Sequence, residues 1–310
     1  MTNPVCTICG ATAGFLLTKD SYLLYRCPQC ALVFVFPQPA LDFLVAKVYS
    51  KDSGYQGHKP KDLSKVPLTR AYEKIFAYLE KDGVKGKKLL DIGCSNGEFL
   101  YPAKLRGFSV RGVELNPHTS EIARDNGLEV YTGILTDALS KPGFESGSFD
   151  VIFLGDLIEH VSSPRELLLE CESLLAPKGK VIISTPNLDC PWAKITFMLY
   201  RFFRIPWSCV TPPHHLFQFS HDNLLLLLGQ CGIGYETTWY NRRPSLMYER
   251  GSTHLVREWR SKNGTSRIIF GVYMFFSLTL YALSYAALDL IGLLGYKNDS
   301  SMVVIGAKKY

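Results

Sequence analysis

The sequence carries little excess charge of either sign. Over 310 residues the formal net charge is +6, too mild to mark a nucleic-acid binder by itself. Charged residues make up 20% against 47% hydrophobic, which excludes disordered, collagen-like and low-complexity chains. Nine cysteines are about three per hundred residues, short of a disulfide scaffold. Residues 1–4 lack a basic-then-apolar leader, an absence that predicts a cytoplasmic chain whose cysteines are free thiols or metal ligands. No internal repeat is present. Apolar sequence is plentiful, and residues 268–288 run 21 positions without a charge.

Four segments differ in composition. Residues 1–36 are strand-like with paired cysteines. Residues 37–86 form a polar linker and helical extension, with a Lys-, Gly- and Ser-rich loop around 51–65 and a helix near 68–82. Over 87–186, β-branched runs alternate with helical patterns, the mark of βαβ units around a parallel sheet, and 187–310 is the fourth segment. Strands are predicted at 88–92, 109–114, 129–132, 149–155 and 180–185. Ser163, Pro164 and Glu166 predict a capping-box helix start, closed by Pro177 and Gly179. The domain over 87–310 then holds apolar insertions at 188–219 and 243–298, a helix over 222–231 and a last strand over 301–308.

Cys6 and Cys9 form one C-x-x-C, and Cys27 and Cys30 a second, with seventeen residues between the pairs. Two such turns aim four thiolates at one point, a closed tetrahedral site for structural zinc. A segment of 36 residues is too short for its own core, so metal supplies its folding energy, and loss of Cys27 is expected to melt it alone.

Residues 89–97, Leu-Leu-Asp-Ile-Gly-Cys-Ser-Asn-Gly, are an apolar strand entering a glycine turn. The middle glycine of a dinucleotide fingerprint is missing, and Asp91 would repel a phosphate. A carboxylate there suits the ammonium of an amino acid. Glu114, at the end of the next strand, suits ribose hydroxyls. The ligand that combines an amino-acid end with a nucleoside is S-adenosylmethionine.

Residues 88–185 resemble the class I S-adenosylmethionine-dependent methyltransferase domain, with Asp91 to Gly97 as its first motif and 148–152 at its fourth strand. The resemblance, spread over 1–36, 86–242 and 300–308, implies a Rossmann-like α/β fold, with a mostly parallel seven-stranded sheet covered by helices on both faces. It implies cofactor contacts from Asp91, Gly93, Gly97 and Glu114, with Cys94, Leu115, Ile134 and Leu135 around them. Residues 25–34 with Pro37 resemble the zinc-ribbon start of certain bacterial methyltransferases, many associated with sugar or surface-polysaccharide pathways. An oxygen or carbon of a glycan precursor, lipid- or nucleotide-linked, is therefore the first expectation for the acceptor.

Asp156-Leu157-Ile158-Glu159-His160 follows the fourth strand, where open α/β sheets bind ligands. His160 is a candidate base with Glu159 to orient it, and His215, in Pro-Pro-His-His-Leu, is a second. The acid-x-x-Glu-His spacing also resembles the metal site of quinone-ring O-methyltransferases, with Asp156 in the first place. A quinone or lipid acceptor stays open for that reason, as do a ribosomal RNA base methyltransferase, which can also carry a ribbon, and a non-catalytic cofactor-binding protein. Thr185-Pro186-Asn187 is not the motif of exocyclic amino methylases, which disfavours nucleic acid.

Residues 242–267 hold Arg242, Arg243, Arg250, Arg257, Arg260, Lys262 and Arg267 against Glu249 and Glu258. A basic flank beside an apolar helix suits anionic lipid headgroups. A span would strand residues 301–308 on the far side, so 268–288 is expected to lie peripherally on the inner face of the cytoplasmic membrane, joined by residues 192–207.

Overall fold

A computed structural model describes residues 3–47, 61–83, 86–207, 209–242, 250–293 and 299–309. Most of the loop predicted at 51–65, and Arg243 and Glu249, lie outside the described residues.

Two sheets organise the chain. The smaller is antiparallel, in the order β1 (Gly14–Lys19), β2 (Tyr22–Arg26), β3 (Val33–Val35) and β9 (Phe217–Gln218). The larger is built from β4 (Lys88–Ile92), β5 (Ser109–Glu114), β6 (Val130–Thr132), β7 (Phe149–Gly155), β8 (Leu175–Pro186), β10 (Ile233–Arg242) and β11 (Asp299–Lys308). Its order is β10-β11-β8-β7-β4-β5-β6. The pairs among β4 to β8 are parallel, and β11 runs antiparallel to both neighbours. This is the Rossmann-like methyltransferase sheet that the resemblance implies.

The central strands are apolar on both faces because helices cover both. The period of two divides their side chains between two cores. Leu90, Ile92, Ile152, Leu154, Val181 and Ile183 face α5 (Leu135–Ala138), α6 (Pro164–Leu174) and α8 (His221–Gln230). Leu89, Val151, Phe153 and Ile182 face α2 (Arg70–Leu79), α3 (Leu100–Leu105) and α4 (Pro117–Asp125). Leu44 of α1 (Leu41–Lys47) joins the first core. A third cluster is made by α7 (Pro191–Phe203), α9 (Arg250–Ser261) and α10 (Gly264–Leu293), with Trp192, Leu199, Leu255 and Tyr281 at its centre, and Leu188 and Cys209 link it to a fourth around β1 to β3.

Three local expectations change. The cysteine-bearing segment is not an independent unit: β9 completes its sheet, and Cys6, Cys27, Leu32 and Phe34 share the core of β4 and β7. Arg165 adds a hydrogen bond to the Ile8 carbonyl at 2.9 Å. Ser163 caps α6 without a side-chain bond, and α6 ends at Leu174, before Pro177 and Gly179, because β8 has already begun. The capping box lies instead at α8, where Ser220 and Asn223 satisfy each other's backbone N–H.

Candidate active site

The turn after β4 is held from both sides. Gly93 (φ 76°) and Cys94 both donate their N–H to the Val113 carbonyl, at 2.8 and 3.1 Å. A Cβ on Gly93 would stand 3.0 Å from Leu157, so this turn and the one after β7 meet at one edge of the sheet. Gly97 (φ 91°) is tighter, since a Cβ there would come 2.3 Å from Leu128. Both positions need left-handed backbone and a missing side chain.

Glu114 ends β5, 8% exposed, and its two carboxylate oxygens accept from the N–H groups of Ser95 (2.8 Å) and Asn116 (2.7 Å). A carboxylate offers about four acceptor positions, a chemistry suited to hydroxyl donors. Asp91 is 2% exposed, and burial followed by repulsion from Glu114 raises its carboxyl well above the ordinary range. Two acids this close, one wholly desolvated, form a site that a cation would relieve. That is the fit expected for a sulfonium or ammonium ligand carrying a ribose.

The other expected cofactor residues divide. Leu115 is half-buried just past β5, and Ile134 is 37% exposed at the start of α5, so both border the same edge. Leu135 is buried in the first core. Cys94 spends its N–H on Val113, and its thiol packs into the second core where Gly112 leaves room; it shapes the turn from behind. Burial raises that thiol well above its usual value. Tyr72, on α2, was not singled out in sequence. It stacks edge-on against Phe99 at 5.1 Å, and burial, then Asp91 and Asp156, raise its hydroxyl. A tyrosine on an amphipathic helix reads as core, so no signal separated it.

Beyond β7, Glu159, His160 and His215 come together, with one ligand atom from each lying within 4.8 Å of the others. Thr185 of β8 donates to the Glu159 carboxylate at 2.9 Å. The Glu159 backbone carbonyl accepts from Leu216 (2.8 Å) and Phe217 (3.1 Å), which brings the His215 loop over the turn. His160 is oriented through Nδ1 by the His214 carbonyl, and its Nε2 stands 3.9 Å from Glu159. A carbonyl only accepts, so Nδ1 carries the proton and Nε2 is the basic nitrogen. The His215 ring meets that of His160 edge-on at 4.8 Å. Asp156 does not join this group: the Ser184 hydroxyl donates to it at 2.9 Å. Its place in an acid-x-x-Glu-His cluster is corrected to one filled by His215, from fifty-five residues further along.

The four thiols also converge. Cys6 and Cys30 sulfurs lie 3.5 Å apart, Cys9 and Cys27 3.3 Å, and all four fall within 4.8 Å. Tetrahedral zinc with bonds of about 2.3 Å sets sulfurs about 3.8 Å apart, so the donor set fits. Burial pushes the Cys27 thiol up, while the Cys30 and Gln29 N–H groups and the Cys9 thiol bring it down to about 7.

A family model described as a methyltransferase domain matches residues 64–233. Among curated relatives, the ubiquinone biosynthesis O-methyltransferase of Caulobacter sp. is 35% identical over 125 residues, 37% of this chain and 49% of its own. That of Idiomarina loihiensis is 35% identical over 128 residues, 39% and 52%. The chain thus spans about half the length of the curated relatives it matches. Similar solved structures include a SAM-dependent methyltransferase from Archaeoglobus fulgidus (18% identity, 76% of this chain and 94% of that one, TM-score 0.47). Another is magnesium protoporphyrin IX methyltransferase from Synechocystis with bound SAH (13%, 77% and 83%, TM-score 0.48). The expectation of a glycan-precursor acceptor is overturned by the names of these relatives. The residues behind it lay in the ribbon, whose described part forms sheet and core. With its sheet, its acidic turn and this match over more than half its length, the chain belongs to the methyltransferase-domain family.

Proposed function

We propose that the acceptor is a ring hydroxyl of a quinone-type molecule with an apolar tail, and that the chain is its O-methyltransferase. The observation that carries this reading is the buried Glu159–His160–His215 group beside the cofactor turn. A phenol attacks a methyl group well only once its proton is leaving. The hydroxyl gives that proton to His160 Nε2 as the O–CH3 bond forms and the S–CH3 bond breaks, its electron pair staying on the neutral thioether. Glu159, 1% exposed, stabilises the imidazolium that results. The names of the curated relatives, matched over 37% and 39% of this chain, support the acceptor class. Asp91, Gly93, Gly97 and Glu114 bind the cofactor in this reading, and Cys6, Cys9, Cys27 and Cys30 hold zinc in a structural role.

Methylation of a prenylated catechol by the purified enzyme tests it. His160→Gln should lower kcat by about 10²–10⁴-fold, the usual contribution of a general base, with cofactor affinity unchanged. Transfer to no phenolic acceptor, or near-normal rates in both His160→Gln and His215→Gln, overturns it. A second reading, a divalent cation held by Glu159, His160 and His215, is favoured by their spacing. Rates lost on chelation and restored by added iron(II) or manganese, with the zinc content unchanged, would select it.

A further inference from the structure

The exposed side of α10 has no counterpart in the reaction. One side of this helix packs on α7: Trp192 against Tyr281 (5.8 Å) and Tyr285 (5.6 Å), Phe203 against Phe276 (5.8 Å). The hydroxyl of Tyr273 donates to the Arg204 carbonyl at 2.9 Å. The other side is open. Ile268 (70%), Val272 (69%), Phe275 (73%), Leu283 (61%) and Leu290 (64%) stand exposed at helical spacing. The stripe is about 33 Å long at about 1.5 Å per residue. Met198 and Phe202 extend it on α7.

What is missing from this face decides its occupant. A protein partner of ordinary kind is met with roughly one hydrogen bond per 100–200 Å². Between 268 and 288, every exposed residue is apolar except Thr279, whose hydroxyl already donates to the Phe275 carbonyl at 2.9 Å. Hydrocarbon asks for nothing more. The same three helices carry exposed arginines: Arg201 and Arg204 at the end of α7, Arg257 and Arg260 on α9, and Arg267 on α10. The acids on the same three helices are Glu258 and Asp289, and Glu258 is already paired with Lys262 at 3.3 Å. An apolar strip on helices that also carry arginines matches acyl chains below anionic headgroups.

α10 is long and apolar enough to cross a bilayer, and only 11% of its most apolar window is buried. The connections forbid the crossing. The insertion leaves and re-enters at Arg242 and Asp299, which are partners in the β10–β11 ladder. Residues 294–298 reach at most about 21 Å at about 3.5 Å per step, less than the ~30 Å of hydrocarbon. The other route carries α9, which lies along α10 with Arg267 over Trp259 (4.2 Å) and Lys262 over Phe270 (4.9 Å). A span would drag its arginines into lipid.

We infer that α7, α9 and α10 form a monotopic seat, on which the enzyme rests in one leaflet of an anionic membrane with α10 parallel to the surface. The inference stands apart from the acceptor proposed above. The full-length protein is floated with vesicles of phosphatidylcholine alone and of phosphatidylcholine with 30% phosphatidylglycerol. Binding to the anionic vesicles is expected, at least tenfold stronger than to neutral ones. Val272→Glu with Phe275→Glu should abolish it, and Arg257→Gln with Arg260→Gln should weaken it several-fold. These side chains are exposed, so unchanged circular dichroism and S-adenosylmethionine affinity will show intact folding. Release by alkaline carbonate supports the seat; protection of residues beyond 293 from external protease would establish a span and overturn it. No flotation with either vesicle overturns it as well. So does a lipid-free dimer that Val272→Glu and Phe275→Glu dissociate, because the face then belongs to a second copy.

Discussion

Asp91 shows how a single side chain can trade stability for binding. It lies at the end of β4, buried, with Glu114 as its charged neighbour, and its carboxyl is raised well above the ordinary range. Between the ordinary and the raised value, the folded state holds a proton that the unfolded state has lost. Stability of the ligand-free protein therefore falls as pH rises through that window. Asp91→Asn removes the penalty, so its Tm at pH 7 should exceed that of the parent, with the gap closing toward acid. The same change should weaken S-adenosylmethionine by about 1–3 kcal/mol, the scale of a lost charged partner. A cationic ligand drives the proton off, so parental affinity should rise with pH while the Asn variant stays flat. Calorimetry across pH reads both, and a variant that binds as tightly as the parent would remove Asp91 from the site. Residues of this kind were legible, since an acid in a glycine turn has few other uses. Tyr72 was not, because its value lies in where α2 packs, which depends on Phe99 and Phe153 far along the chain.

Among the elements, β4, β5 and β7 could be drawn to the residue, because a strand buried on both faces declares itself as an apolar run. Length was the limit elsewhere. β9 is two residues long and acquires its meaning from Val33 and Phe34, more than 180 positions earlier. No local pattern holds that information. β10 was not drawn either, since Gly234, Glu236 and two threonines interrupt its alternation; β11 is what makes it a strand. The tie between β3 and β9 changes what metal loss should do. His215 stands two residues before β9, and Asn223 of α8 donates to the Cys30 carbonyl at 3.2 Å. Cys27→Ser should therefore release zinc and lower the stability of the whole enzyme by about 3 kcal/mol or more, not of residues 1–36 alone. It should cut kcat more than cofactor affinity. Differential scanning calorimetry with turnover assays checks this, and an unchanged kcat with zinc gone would show that the ribbon does not support the histidine loop.

At the scale of the molecule, α9 and α10 are inserted at the β10–β11 ladder, and α7 ties them to the small sheet through Phe197 and Tyr200. The third cluster shares no residue with the two cores of the sheet. Replacing residues 243–298 by an Asn-Gly turn should join Arg242 to Asp299 as a hairpin, since those residues are already opposite each other. The shortened enzyme should keep its S-adenosylmethionine affinity and its far-ultraviolet signature. Its solubility should fall, because Trp192 and Leu199 of α7 lose their cover. Titration calorimetry decides it, and a folded variant that no longer binds the cofactor would tie the insertion to the cofactor site.

The place of β11 has one more consequence, for synthesis. It is the latest strand in the sequence, yet it sits inside the sheet, between β8 and β10. A nascent chain that has emerged as far as residue 293 already contains every other strand and the long apolar helix, but β8 and β10 face each other across a gap one strand wide. Until fifteen more residues, through Lys308, leave the ribosome, two bare edges and an uncovered apolar helix are exposed together, the combination that invites misassembly. Ribosomes stalled in this interval should be where chaperones gather on the message.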